Sequence, residues 1–137
     1  MPQIYSNIDL FEKVLDALWL RNEVISNNIA NVNTPGFKSS SVVFEDILKK
    51  ELEEKGTGIK GYITHNKHIP IGKKGLMDIR PQVVINKNTA LRNDGNNVDI
   101  DNEMAQLTKN TLKYNSIVQL VMKEFSILKN IINEGRR

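Results

Sequence analysis

Residues Ser26–Lys38 read SNNIANVNTPGFK. The stretch opens as helix and ends in an enforced turn. Pro35 disfavours helical dihedrals at Thr34. Pro35-Gly36 suits a type II turn, with Gly36 supplying positive φ at the third position. Four asparagines crowd this end: Asn27, Asn28, Asn31 and Asn33. Asn is a poor helix former, yet its side chain both donates and accepts. Two readings stand. One is a helix terminus capped by Asn. The other is an assembly motif, in which Asn27, Asn28, Ile29, Asn31, Thr34, Pro35, Gly36 and Phe37 bond neighbouring loops or subunits.

Before this hinge runs one long heptad pattern. Residues 1–7 read as a lead-in, with Asn7 or Asp9 as the helix cap. The seam is Ile4, Ile8, Phe11, Leu15, Leu18, Asn22, Ile25 and Ile29, spaced alternately by four and three, as in a coiled-coil seam. A second row holds Leu10, Val14, Ala17, Arg21 and Val24. After the hinge, residues 39–55 predict a short amphipathic helix with Val43, Ile47, Leu48 and Leu52 inward. Gly56–Gly75 is broken by glycines and Pro70 and anchored by Ile59, Tyr62, Ile63, Ile69 and Ile71. Gln82–Asn86, QVVIN, predicts one strand after Pro81, and Asp94-Gly95 a tight turn.

The last helix is expected from a cap at Asp99 or Asp101 to about Asn133, with Gly135 as the stop. Its seam is Met104, Leu107, Thr111, Tyr114, Val118, Val121, Phe125, Leu128 and Ile132, beside a second row of Ile117, Leu120, Glu124, Ile127 and Ile131. The fold class follows: mainly α, with long N- and C-terminal helices forming an antiparallel coiled-coil-like hairpin around a small irregular or β middle module. The segments are 1–37, 38–97 and 98–137, together one domain. Antiparallel pairing brings the polar seam residues Asn22 and Thr111 close together, and such residues fix register. A two-helix hairpin buries one seam per helix. That leaves Val14, Val24, Ile117, Leu120, Ile127 and Ile131 over, and each fully buried side chain of this kind is worth about 1.5–3 kcal/mol. Either the middle module folds back over these rows, or similar subunits cover them and build an open polymer.

Composition sets the remaining bounds. A chain of 137 residues suits one domain. Its 39% hydrophobic and 6% aromatic content is low for a globular enzyme. The net charge of +3 is mild, and no basic stripe interleaves with aromatics, which argues against nucleic acid. No apolar run is long enough to insert in a membrane, and the N-terminus lacks a cleavable signal pattern. Zero Cys excludes disulfides and thiolate metal sites. His65 and His68 lack a third ligand for zinc. The acids of Asp94–Glu103 read as helix-start charge rather than a calcium loop, because Gly95 comes too early. No catalytic triad, P-loop or dinucleotide fingerprint is present, so no enzyme, cofactor or metal is expected. Trp19 lies off the main seam, packed on a neighbour or exposed.

Ser26–Lys38 also resembles the signature of the bacterial flagellar axial proteins. Asn97–Met104, NVDIDNEM, is similar to the segment that opens the last helix of proximal rod subunits. Lys109-Asn110, Tyr114, Lys123, Phe125, Leu128, Lys129 and, at the front, Leu15-Asp16-Ala17-Leu18 fit the same flagellar basal-body rod protein family. The likeness covers both ends and touches the centre loosely, through His68-Ile69. It implies a structural subunit of the proximal rod, located in the flagellar basal body and exported by the flagellar type III apparatus without a cleaved signal. It implies helical polymerisation into the drive shaft for motility. The implied partners are copies of itself, other rod proteins, the ring–rod junction and the export apparatus. A soluble helical adaptor that binds a partner helix through the surplus rows is the alternative from another class.

Overall fold

The computed structural model describes residues 3–53, 79–87 and 90–135. Helix α1 spans Gln3–Ala30. Asn7 and Asp9 therefore sit inside it and cap nothing, contrary to expectation. No Gly or Pro interrupts this stretch, so the helical period continues back to Gln3. The far end tightens into overlapping turns: Val32 N donates to Ile29 O at 3.2 Å and Thr34 N to Asn31 O at 3.0 Å. Phe37 N then donates to Thr34 O at 3.3 Å, with Gly36 at φ 72°. That is the type II turn the sequence demanded.

Residues 39–55 depart from the single helix expected there. Strand β1, Ser40–Val43, comes first, and helix α2 runs only over Glu45–Glu53. Three serines and two β-branched valines resist helix. They pair instead, antiparallel, with β2, Gln82–Ile85, in the register Ser40↔Ile85 to Val43↔Gln82. Val43 is thus a strand residue and not part of a helix face.

Helix α3 spans Ile100–Glu134. Its N-cap is Asp99, which accepts from Asp101 N at 3.1 Å. Gly135 closes it, donating to Ile131 O at 3.0 Å. The two long helices pack antiparallel. Asn28 near the end of α1 lies beside Glu103 near the start of α3, and Leu18 O, earlier in α1, accepts from Asn110, later in α3.

The buried apolar residues gather on α1 and on what lies over it. Ala17, Phe44 and Ile79 form one cluster, with Val14, Ile47 and Leu48 packed against it. Leu18, Ile25, Val42 and Val98 are buried nearby. Val14, expected to be left over for a neighbour, is therefore covered by the chain's own α2 region and Ile79. Gly56–Gly75, with its anchoring isoleucines, and His65 and His68 lie outside the described residues.

Candidate functional site

The asparagine-rich hinge becomes half of a clasp. Asn28 is 1% exposed. Its amide donates to Ser40 O at 2.8 Å and its carbonyl accepts from Ser40 N at 3.0 Å. One side chain thus pairs with the edge of β1 as a neighbouring strand would. Asn31 closes the helix end locally: Nδ2 donates to Asn27 O at 2.8 Å, and Oδ1 accepts from Thr34 Oγ1 at 3.2 Å.

The other half comes from residues 92–98. Asn96 is fully buried. Its Nδ2 lies 3.1, 3.0 and 2.9 Å from the carbonyls of Asn31, Val32 and Thr34. Its Oδ1 accepts from Val98 N at 2.7 Å. A residue far along the chain therefore satisfies the carbonyls that the terminating α1 turns leave open. Asn97 does similar work on the strands, accepting from Ser39 N at 2.7 Å and donating to Asn86 O at 2.8 Å. The two glycine turns face each other. Gly36 N donates to Asp94 O at 2.9 Å, and Lys38 Nζ donates to Gly95 O at 2.7 Å. Gly95 also has positive φ, 81°. Space around Gly36 is open to a Cβ, so its dihedral alone selects glycine there.

Within the predicted assembly motif, Asn28 is buried, and Ile29, Asn31 and Phe37 are half-buried. Asn27, Thr34, Pro35 and Gly36 remain exposed. The sequence reading found the Asp94-Gly95 turn but missed Asn96 and Asn97. The available signal was an Asn pair directly after a glycine turn and before a helix cap.

A cleft of about 490 Å³ lies between β1 and the facing sides of α1 and α3. Arg21 on α1 spans it to Glu45 at the start of α2, Nη1 to Oε1 at 2.7 Å, and reaches Val42 O at 3.2 Å. Lys113 Nζ approaches the same carboxylate at 3.4 Å. The Arg21 hydrogen bond holds the Glu45 pKa down at about 2, against an ordinary 4.5. Glu103, across the cleft, moves the other way: burial raises its pKa against the opposing Asn28 hydrogen bond. Charges of both signs share this cleft, and no single ligand charge is favoured there.

The predicted seam is unevenly closed. On α1, Leu18 and Ile25 are buried, Phe11 and Leu15 half-buried, and Asn22 exposed. On α3, Leu107, Val118, Val121 and Leu128 are half-buried, whereas Met104, Thr111, Tyr114 and Phe125 are exposed. One flanking helix covers only the centre of the α3 face, so residues at its margins stay open to solvent. Asn22 and Thr111 line one small pocket with Leu18, Trp19, Asn110 and Tyr114. Asn110 is buried at the crossing; Nδ2 donates to Leu18 O at 2.8 Å, while Oδ1 has no partner among the described residues.

Of the expected surplus rows, Val24 lines the cleft and Ile117 is half-buried. Leu120, Ile127 and Ile131 are 45%, 41% and 55% exposed. No residue of α3 other than Asn110 is buried. The site is therefore a surface: a long apolar helix face held at a set angle by a polar clasp.

Comparison with known proteins agrees with such a scaffold. The family model for the flagella basal body rod protein matches residues 15–38, from the middle of α1 through the hinge. The chain is 37% identical to the flagellar basal body rod protein FlgB of Borrelia hermsii, over 92% of this chain and 95% of that one. It is 35% identical to FlgB of Borreliella burgdorferi, over 96% and 99%, and 30% identical to FlgB of Bacillus subtilis, over 99% and 100%. Likeness at this level runs through the hinge, the clasp and both long helices, and marks a structural protein rather than an enzyme. The chain belongs to the FlgB family of flagellar basal body rod proteins.

Proposed function

We propose that this chain polymerises helically as a subunit of the proximal rod, the drive shaft of the flagellum, and that copies and other rod proteins complete its fold. The observation that carries the reading is the apolar face of α3. Leu120, Ile127 and Ile131 lie on one side of the helix and are 45%, 41% and 55% exposed within one chain. Contiguous exposed apolar surface on a soluble protein marks an interaction site. A face that meets a different face on the next copy builds an open array rather than a closed dimer. Delivery through the flagellar type III apparatus, and contact with the ring–rod junction below, belong to the same reading and rest on family membership.

The test is a deletion of the gene complemented by Ile127→Asp. This variant is expected to reach wild-type cellular levels, yet to be missing from purified basal bodies, because a carboxylate would be buried unpaired in the contact. Normal swimming by cells carrying Ile127→Asp would remove the apolar face from the assembly.

A further inference from the structure

The smaller pocket, of about 230 Å³, lies between α1 and α3 where they cross. Leu18, Trp19 and Asn22 line it from α1, and Asn110, Thr111 and Tyr114 from α3. Cavities that take small molecules and cofactors run to roughly 300–1,000 Å³, so the scale here is that of one side chain. Its two aromatics, Trp19 and Tyr114, are 62% and 38% exposed, which leaves part of each within reach of a guest. Asn110 is 4% exposed. Its Nδ2 is used on Leu18 O, and its Oδ1 has no donor among the described residues. A buried acceptor left unmatched keeps its partial negative charge uncompensated and favours positive charge nearby.

The formal charges around the pocket act in the same sense. Asp16 and Glu23 sit one turn to either side of Trp19 on α1. Both are exposed and make no ion pair among the described residues. On α3, Thr108, Asn115 and Val118 lie one turn from Thr111 or Tyr114, and none carries a charge. Arg21, Lys109 and Lys113 line the larger cleft instead. The pocket therefore combines two aromatic side chains, an unmatched amide oxygen and two carboxylates, with no base of its own. An apolar guest would fill it and leave the acids unanswered. A cation is drawn to the faces of tryptophan and tyrosine. A guanidinium is also planar, so it can stack there while its other N–H groups reach a carboxylate.

We infer that this pocket is a socket for an arginine side chain presented by the protein that packs against this part of the hairpin. The inference rests on the rod reading above only for the source of that arginine, a neighbouring rod protein. The socket itself belongs to the single chain. It also gives Trp19 a role that packing within one chain does not.

The purified full-length chain tests it, with Trp19, its single tryptophan, as the fluorescent reporter. The probe is the capped tripeptide Gly-Arg-Gly, set against the same peptide with neutral citrulline in place of arginine. The arginine peptide is expected to change the emission saturably, and the citrulline peptide to bind about tenfold more weakly or worse. D16N/E23Q is expected to weaken the arginine peptide about threefold or more, and added salt should weaken it too. Both positions are exposed, so the melting temperature of this variant should match wild type. Equal titrations with the two peptides, or no saturable change with either, would overturn the socket. In cells lacking their own copy, W19L is expected to lower incorporation into purified basal bodies about tenfold, and W19F, which keeps an aromatic face, to stay near wild type. Full incorporation of W19L, or equal losses from both variants, would overturn the use of the socket in the rod. Normal swimming with Ile127→Asp would instead remove the rod reading and leave the peptide titration standing.

Discussion

Helices α1 and α3 carry the same kind of heptad pattern, yet they end in opposite conditions. Three apolar residues of α1 are buried: Ala17, Leu18 and Ile25. None of α3 is, although α3 is the longer and holds more of the exposed large hydrophobics. The cover explains the difference. Phe44, Ile47, Leu48 and Ile79 lie over Val14 and Ala17 of α1, and β1 packs beside the same helix. The described middle segments supply enough apolar surface for one helix and leave the face of α3 open. A repeat in sequence therefore marks a face to be covered without saying by what.

The sharpest way to probe the contrast is to truncate one aromatic on each side. Phe44→Ala, at a 3% exposed position, should cost about 3–5 kcal/mol in chemical denaturation, as other large-to-small core changes do. Phe125→Ala, at 54% exposure, should cost the isolated chain less than about 1 kcal/mol while lowering assembly. Equal losses from the two would erase the distinction.

The clasp that joins the two helices comes next. Asn96→Ala removes the donor that serves three carbonyls and the acceptor for Val98 N. About 2–3 kcal/mol should be lost, because buried groups are left unmatched. Faster amide exchange at Val98 would localise the effect. Gly36→Val is smaller: the left-handed dihedral costs a side chain about 1–2 kcal/mol, and a Cβ there clashes with nothing. An unchanged melting curve would show that the turn relaxes.

The smallest effect separates the two carboxylates of the cleft by pH. Glu45 is depressed to about 2 by Arg21. Its contribution is present above the ordinary value of 4.5 and fades as pH falls toward about 2. Its side chain is half exposed, so the gain is modest. Glu103 is raised by burial. Its contribution is complete below the ordinary carboxylate value and is lost as pH rises through its folded value. Glu45→Gln should flatten the acid limb of a stability–pH profile, and Glu103→Gln the opposite slope above it. Parallel profiles for the two variants would contradict these opposite shifts.

Much of this architecture was legible before any coordinates. The 3–4 spacing announces both long helices, Asp99 and Gly135 bound the second, and Pro35-Gly36 enforces the turn. Each of these is local: dihedral preferences, caps and periodicity act within a few residues. The readings that failed were contests between local preferences, as at Ser40–Val43, where strand pairing with distant Gln82–Ile85 won. Of the candidate surface, Leu120, Ile127 and Ile131 were visible as a surplus row, whereas Val14 proved to be covered by residues far along the chain.

The sequence alone determined that two amphipathic helices would flank a turn and that they carry more apolar surface than two helices can hide. Tertiary structure alone decided which helix keeps its face bare. It also assigned Asn28 and Asn96 to the clasp. The physical reason is range. Helix period and turn chemistry are set by neighbours in the chain, but burial depends on which distant segments reach a given face first.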